Sequence, residues 1–243
     1  MNMLQPDWPA PKHIKAYTTL RQGWGGRKPY HADNRGYYLS DHQGYEQESQ
    51  ALGALLQLPT EPIWLNQTHG TTVLEALPEN REKNADASFA THANQVCTVL
   101  TADCLPLLIC HENGTHVAAI HAGWRGLAKG IIEATLAAMH LPAEEMLVWL
   151  GPAIGPQKFE VGEDVYQAFT QPHPEAASAF HPHREGKWLA NLYTLATQRL
   201  NAQGVRRIYG GQFCTYTQED LFFSYRRDGK ETGRMASVIW IEK

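Results

Sequence analysis

Thr101-Ala102-Asp103-Cys104-Leu105-Pro106 opens, and His121-Ala122-Gly123-Trp124-Arg125-Gly126 closes, the stretch from which the fold of this 243-residue chain can be read. Between them stand two apolar runs, Leu107-Leu108-Ile109-Cys110 and Val117-Ala118-Ala119-Ile120, separated by a polar segment centred on Asn113-Gly114. Apolar runs on either side of Asn-Gly predict a β-hairpin, because both residues tolerate the positive φ of a type I′ turn. Pairing Glu112 with Thr115 sets the antiparallel register, with Cys104 opposite Gly123 and Pro106 opposite His121. Cys104 and His121 are then diagonal neighbours on one face, since side chains alternate along a strand. A thiol and an imidazole meet at the open end of the hairpin, with Arg125 one turn further on. That end is the expected site.

Working outward, 43% hydrophobic and 19% charged residues describe an ordinary globular chain, long enough to bury a substantial core as one domain over 1–243. A net charge of −4 gives no electrostatic footprint for nucleic acid or an anionic membrane, and neither is expected as a partner. No apolar run approaches the ~20 residues that span a bilayer. Residues 1–11 hold three prolines and no apolar core, unlike a signal peptide. Cys97, Cys104, Cys110 and Cys214 show no Cys-x-x-Cys spacing, which predicts free thiols in a reducing cytoplasm. Cys97, Cys110 and Cys214 read as small buried apolar side chains.

The flanking sequence predicts strands over 14–20, 63–67, 96–100, 146–150 and 235–241. Helices are expected over 46–57 (with Asp41 as a candidate cap), 127–140, 164–169 and 192–203. The helix from 127 starts directly behind His121 and would aim its positive end at the site. Residues 171–187, rich in Pro and His, read as a surface connection whose His173, His181 and His183 are solvated. Arg21 to Arg27 form a glycine-rich basic stretch that either cradles an anion or simply turns the chain. The order of elements is too irregular for a doubly wound sheet, so the expected class is α+β, with mixed and antiparallel sheets flanked by helices.

Three side chains form a donor set: His69, which follows the strand over 63–67, with Cys104 and His121. Two imidazoles and a thiolate suit Zn²⁺, and three protein ligands leave a fourth position for water or substrate. The same set can hold copper. Without metal, Cys104 and His121 make a nucleophile pair with Asp103 or another acid behind it. Arg125, beside His121, can bind a phosphate or carboxylate through two parallel hydrogen bonds. Arg226-Arg227-Asp228 reads equally as an anion contact or as a local ion pair.

At these residues the chain resembles the YfiH-type proteins, also labelled multicopper polyphenol oxidase or laccase-domain proteins and regarded as purine nucleoside phosphorylases with adenosine deaminase activity. The resemblance covers nearly the whole chain. It rests on Gln67-Thr68-His69-Gly70, Ala85-Asp86-Ala87, the two halves of the opening stretch, Gly151-Pro152-Ala153-Ile154-Gly155, Phe159-Glu160-Val161-Gly162 and Cys214-Thr215. Phe223-Ser224-Tyr225-Arg226-Arg227-Asp228 and Thr232-Gly233-Arg234-Met235 extend it. It implies zinc on His69, Cys104 and His121, with copper as the alternative, and a mixed fold sometimes compared with cysteine-hydrolase-like toxins.

The substrates the resemblance implies are purine nucleosides (adenosine, inosine, guanosine, methylthioadenosine) and phosphate, handled by a monomer or weak homodimer. Cys104, Asp86, Asp103 and Arg125 are then the expected catalytic residues, the two acids as proton carriers. Arg21, Asn34, Gln67 and Arg226 are the expected substrate contacts. Two positions depart from the family pattern: Trp24 and Gly26 stand in the N-terminal Arg-x-Gly-Gly motif, and Glu48-Ser49 replaces Asn-Arg. Losing an arginine at Ser49 while gaining a carboxylate at Glu48 beside it predicts weaker phosphate binding. Copper-dependent phenol oxidation and amide hydrolysis of peptidoglycan precursors are the competing activities. The first would need further copper ligands, and the His-x-His of the chain, His181-Pro182-His183, lies in the segment read as a solvated surface connection.

Overall fold

The computed structural model describes residues 3–22, 32–33, 36–37 and 42–243, with side chains for 3–22 and 49–243. In chain order the elements are β1 (Met3–Leu4), β2 (Ile14–Thr19), β3 (Ala32–Asp33), β4 (Gly36–Tyr37), α1 (His42–Leu56), β5 (Val73–Glu75), β6 (Ala87–Ala90) and β7 (Val96–Thr101). There follow β8 (Leu105–His111), β9 (Val117–Ala122), α2 (Trp124–Lys129), α3 (Ile131–Met139), β10 (Met146–Leu150), β11 (Glu160–Gly162) and α4 (Glu163–Thr170). The remainder are β12 (Phe180–Arg184), β13 (Lys187–Ala190), α5 (Leu192–Ala202), β14 (Arg207–Gly210), α6 (Tyr225–Asp228) and β15 (Met235–Ile241).

β8 and β9 form the expected hairpin in the expected register, Pro106 opposite His121 and Cys110 opposite Val117. The turn itself differs. Gly114 has φ +70°, Asn113 does not have positive φ, and Gly114 N bonds His111 O, so this is a longer loop closed through one left-handed glycine. Strands of one sheet run β14-β10-β8-β9-β6-β5, those of a second β1-β2-β15-β7. The sheets are mixed and antiparallel with helices outside them, the α+β architecture read from the chain.

Alternation along the strands builds the layers. Leu105, Leu107 and Ile109 join Leu127, Ile131 and Leu195 in the core under the helices. Leu108 and Cys110 point the other way, meeting Val99, Ile239 and Ile14 between the two sheets. The far face of the second sheet, with Val96, Leu100 and Val238, is covered by Leu52 and Leu56 of α1. The sequence of layers is therefore helix, sheet, sheet, helices. Strands covered on both faces show unbroken apolar runs instead of alternation, which is why every residue of β7, β8, β9, β10 and β15 is buried.

Three expected elements are corrected. The helix expected over 127–140 is two: α2 ends at Gly130, whose φ of +96° breaks the ladder before α3 begins. Residues 63–67 are extended and buried but form only isolated bridges, Ile63 with Cys97 and Asn66 with Asn84. The segment 171–187 is not mere connection, since it contains β12, which pairs with β13. Asp41, Trp24, Gly26 and Asn34 lie outside the described residues, as does the side chain of Glu48. No helix among the described residues is long and apolar enough to cross a membrane.

Candidate functional site

His121 lies one residue before the end of β9 on the face that looks between the sheets, and Cys104 stands just before β8 on the same face, as the register requires. His69 arrives from the loop after Gln67. One donor atom from each of the three lies within 4.8 Å of the others, so a point exists about 3 Å or less from all of them. Cys104 Sγ is 3.8 Å from His69 Nε2, and the two imidazoles meet edge to face with centroids 4.8 Å apart. Two imidazoles and a thiol converging on one point, with the sulfur favoured as thiolate, fit a zinc-type ion.

Asp86 holds this arrangement. It is fully buried, and its carboxylate accepts from His121 Nδ1 (2.8 Å), His69 N (2.8 Å), Gly70 N (2.7 Å), and the N and Oγ1 of Thr68 (both 3.2 Å). Burial alone would raise this acid. The hydrogen bond and charge of His121, with the N–H groups of Gly70 and His69, win and hold it below the usual carboxylate range. An ionised acceptor fixes the proton on Nδ1 of His121 and leaves Nε2 as the ligand atom.

Burial raises the Cys104 thiol, but the charge of His121 and hydrogen bonds from both histidines outweigh it and lower the thiol below its ordinary value. Burial likewise lowers His121, while the Cys104 thiolate and Asp86 raise it. Each charge thus favours the other, and with His121 protonated on Nδ1 alone the thiolate and Nε2 are both left as donors for a cation.

His69 has φ +59° and Asp103 φ +92°, so the residues that turn both ligand-bearing loops adopt left-handed backbone. Gly123 is required here, because a Cβ would lie 2.5 Å from His69 Cδ2. Asp103 Oδ1 accepts from Thr215 Oγ1 and Oδ2 from the backbone N of Arg226, each at 2.6 Å. Gln67, expected at the substrate, is buried with its amide making both strand-type bonds to Leu100, each 2.8 Å.

Arg125 is exposed and stacks on Trp124 at 4.4 Å. Arg21 pairs with Asp228 at 3.4 Å and sits over Phe223. Arg227 is locked by Asp228 and by the carbonyls of Thr215, Tyr216 and Phe222. Arg226 bonds Glu160 O at 2.8 Å and lies over Phe159. The ion-pair reading thus fits Arg227 and leaves Arg226 available. Ser49 is buried between the Trp64 indole and Glu61, whose other oxygen pairs with Arg81 at 2.7 Å.

Cys97 and Cys110 are buried, and burial pushes each thiol up to about 12, whereas Cys214 is only half-buried and its sulfur accepts from Gly155 N, which corrects its reading as a buried apolar side chain. Thr215 was marked in the sequence only as part of the Cys214-Thr215 motif, and nothing local says that it will anchor Asp103, 112 positions away. Asp86 had one: a lone acid between alanines ahead of a strand must find partners once buried.

A family model described as multi-copper polyphenol oxidoreductase laccase matches residues 15–242. The chain is 47% identical over 241 residues to a purine nucleoside phosphorylase of Pseudomonas aeruginosa, covering 98% of each. It is 45% identical over 247 residues to a purine nucleoside phosphorylase of Haemophilus influenzae, covering all of both. The crystal structure of Neisseria meningitidis protein NMB0706 is similar throughout both chains, with a TM-score of 0.90 and 45% identity. That of YlmD from Geobacillus stearothermophilus gives 0.87 at 26% identity, over 100% of this chain and 97% of that one.

Proposed function

This chain belongs to the YfiH-type family, and on that premise we propose that it is a zinc-dependent purine nucleoside phosphorylase that also deaminates adenosine. One observation carries the reading: His69, Cys104 and His121 converge within 4.8 Å, with Asp86 orienting the third. Bound zinc would lower the pKa of a coordinated water towards neutrality and draw electrons from a substrate heteroatom.

The rest falls to the chain's own groups. In phosphorolysis a phosphate oxygen bonds to ribosyl C1′ while the C1′–N9 bond breaks, and the purine leaves with the electron pair and takes up a proton. Arg125 and Arg226 supply charge-assisted donors for phosphate. In deamination a water oxygen adds at C6 of adenine and ammonia leaves. Asp86 keeps the Nδ1 proton of His121 in place throughout. With every lone-pair direction occupied it acts as a positioning residue and not as the proton carrier expected of it.

The test is metal analysis of protein purified without added metal, followed by product analysis. Inosine should yield hypoxanthine and ribose 1-phosphate only with phosphate, and adenosine should yield inosine without it. Neither product appearing would refute the proposal. A second reading, amide hydrolysis by a Cys104–His121 pair, is supported by the lowered Cys104 thiol. Cys104→Ala separates the two. Loss of both zinc and activity with the fold retained supports the metal centre, whereas full zinc content without activity makes Cys104 a nucleophile. Copper-dependent phenol oxidation has only the family model's description behind it.

A further inference from the structure

We propose that Asp103, both of whose oxygens are engaged, is a positioning residue for the anion subsite and not the proton carrier expected of it: it locks the helix carrying Arg226 onto the turn carrying Cys104, so that Arg226 meets the phosphate. This rests on the phosphorolysis reading above. At φ +92° the backbone of Asp103 is in a region L residues rarely adopt and glycine adopts freely. What holds an aspartate there is its side chain. Oδ1 takes the hydroxyl of Thr215 and Oδ2 the backbone N–H of Arg226, both at 2.6 Å, while its own carbonyl accepts Ile154 N at 3.0 Å. One residue, directly before the thiol ligand, thereby joins the 151–156 loop, the 214–217 turn and α6.

The two arginines of α6 divide the work. Arg227 spends its guanidinium on the carbonyls of Thr215, Tyr216 and Phe222 and on Asp228, and so belongs to the frame. Arg226 is exposed and engages one N–H with Glu160 O, leaving further donors of its fork for an oxyanion. Its direction is set by its backbone, and its backbone N–H is held by Asp103.

Asparagine suits left-handed backbone, and it can accept from Arg226 N while donating to Thr215 Oγ1. Asp103→Asn therefore keeps the tether and Asp103→Ala cuts it. Both variants, Arg226→Ala and the double variant are assayed with inosine at varied inorganic phosphate, for zinc content, and for amide hydrogen exchange at Arg226. Asp103→Ala should raise the phosphate KM about tenfold with kcat and zinc content nearly unchanged, and speed Arg226 exchange about tenfold. Asp103→Asn should restore KM to within about threefold of wild type, and Asp103→Ala should add nothing to Arg226→Ala.

Thr215→Val removes one of the two donors isosterically. It should raise the phosphate KM about threefold, and it serves as the test if Asp103→Ala does not fold. A fall in kcat without rescue by asparagine, additive losses in the double variant, or unchanged Arg226 exchange overturns the proposal. If wild-type protein does not phosphorolyse at all, the functional reading fails, and the exchange measurement alone decides whether Asp103 holds the helix.

Discussion

Gly123 separates the two ligand-bearing segments, and an added Cβ there would lie 2.5 Å from His69 Cδ2 and 3.2 Å from Cys104 Sγ. Gly123→Ala must therefore push the imbedded imidazole aside while leaving the strands intact. Metal affinity, measured by competition with a chelator, should fall about 10- to 100-fold, the range seen when ligand orientation is disturbed. Unchanged affinity in a folded variant would show that the ring moves at no cost. His69, Cys104 and His121 were legible because their donor types match one another and the hairpin register brings two of them together. The work of Asp86 was not, because it depends on how the 66–70 loop returns across β6. Gln67, an amide beside a ligand, suggests substrate contact in the sequence, and in the structure its amide completes the backbone pairing of Leu100.

α6 is four residues long, too short to persist by its own hydrogen bonds. Ser224 Oγ caps it by accepting from Arg227 N, and Arg227 and Asp228 bind each other twice at 2.7 Å. The Arg227 hydrogen bonds and charge outweigh burial and hold the Asp228 carboxyl below its ordinary value. A depressed folded value means that the stabilisation is full above the unfolded carboxylate value of about 3.9 and fades as pH falls through the folded one. The Tm gap between wild type and Asp228→Asn should accordingly be constant at neutral pH and narrow below about pH 4. A gap independent of pH would remove the ion pair from the account. Among longer elements, 96–101, 146–150 and 235–241 were legible because both faces are covered and the runs are unbroken. Residues 63–67 also read as a strand but make only isolated bridges, and nothing in the sequence marks Gly130, whose φ of +96° breaks the helix, as other than helix interior.

At the scale of the molecule, the inter-sheet layer is the seam on which the site depends, since His121 and the side chains of Val117 and Ala119 share one face of β9. Leu108 is fully buried in that layer. Leu108→Ala should cost about 2–5 kcal/mol, lowering Tm by roughly 4–20 °C at the ~2–4 °C per kcal/mol expected for this size. A shift under about 1 °C would mean that the seam is loosely filled. In the second sheet, β15 lies between β2 and β7, its Met235 paired with Thr101 two residues before Asp103. Translation makes those two neighbours first and their shared partner after every other described strand. Until residues 235–241 emerge from the ribosome, the nascent chain carries two rows of unpaired backbone groups, and the sheet that packs against the ligand-bearing hairpin stays unclosed. A message cut short before that point yields an aggregation-prone product and no partly working enzyme.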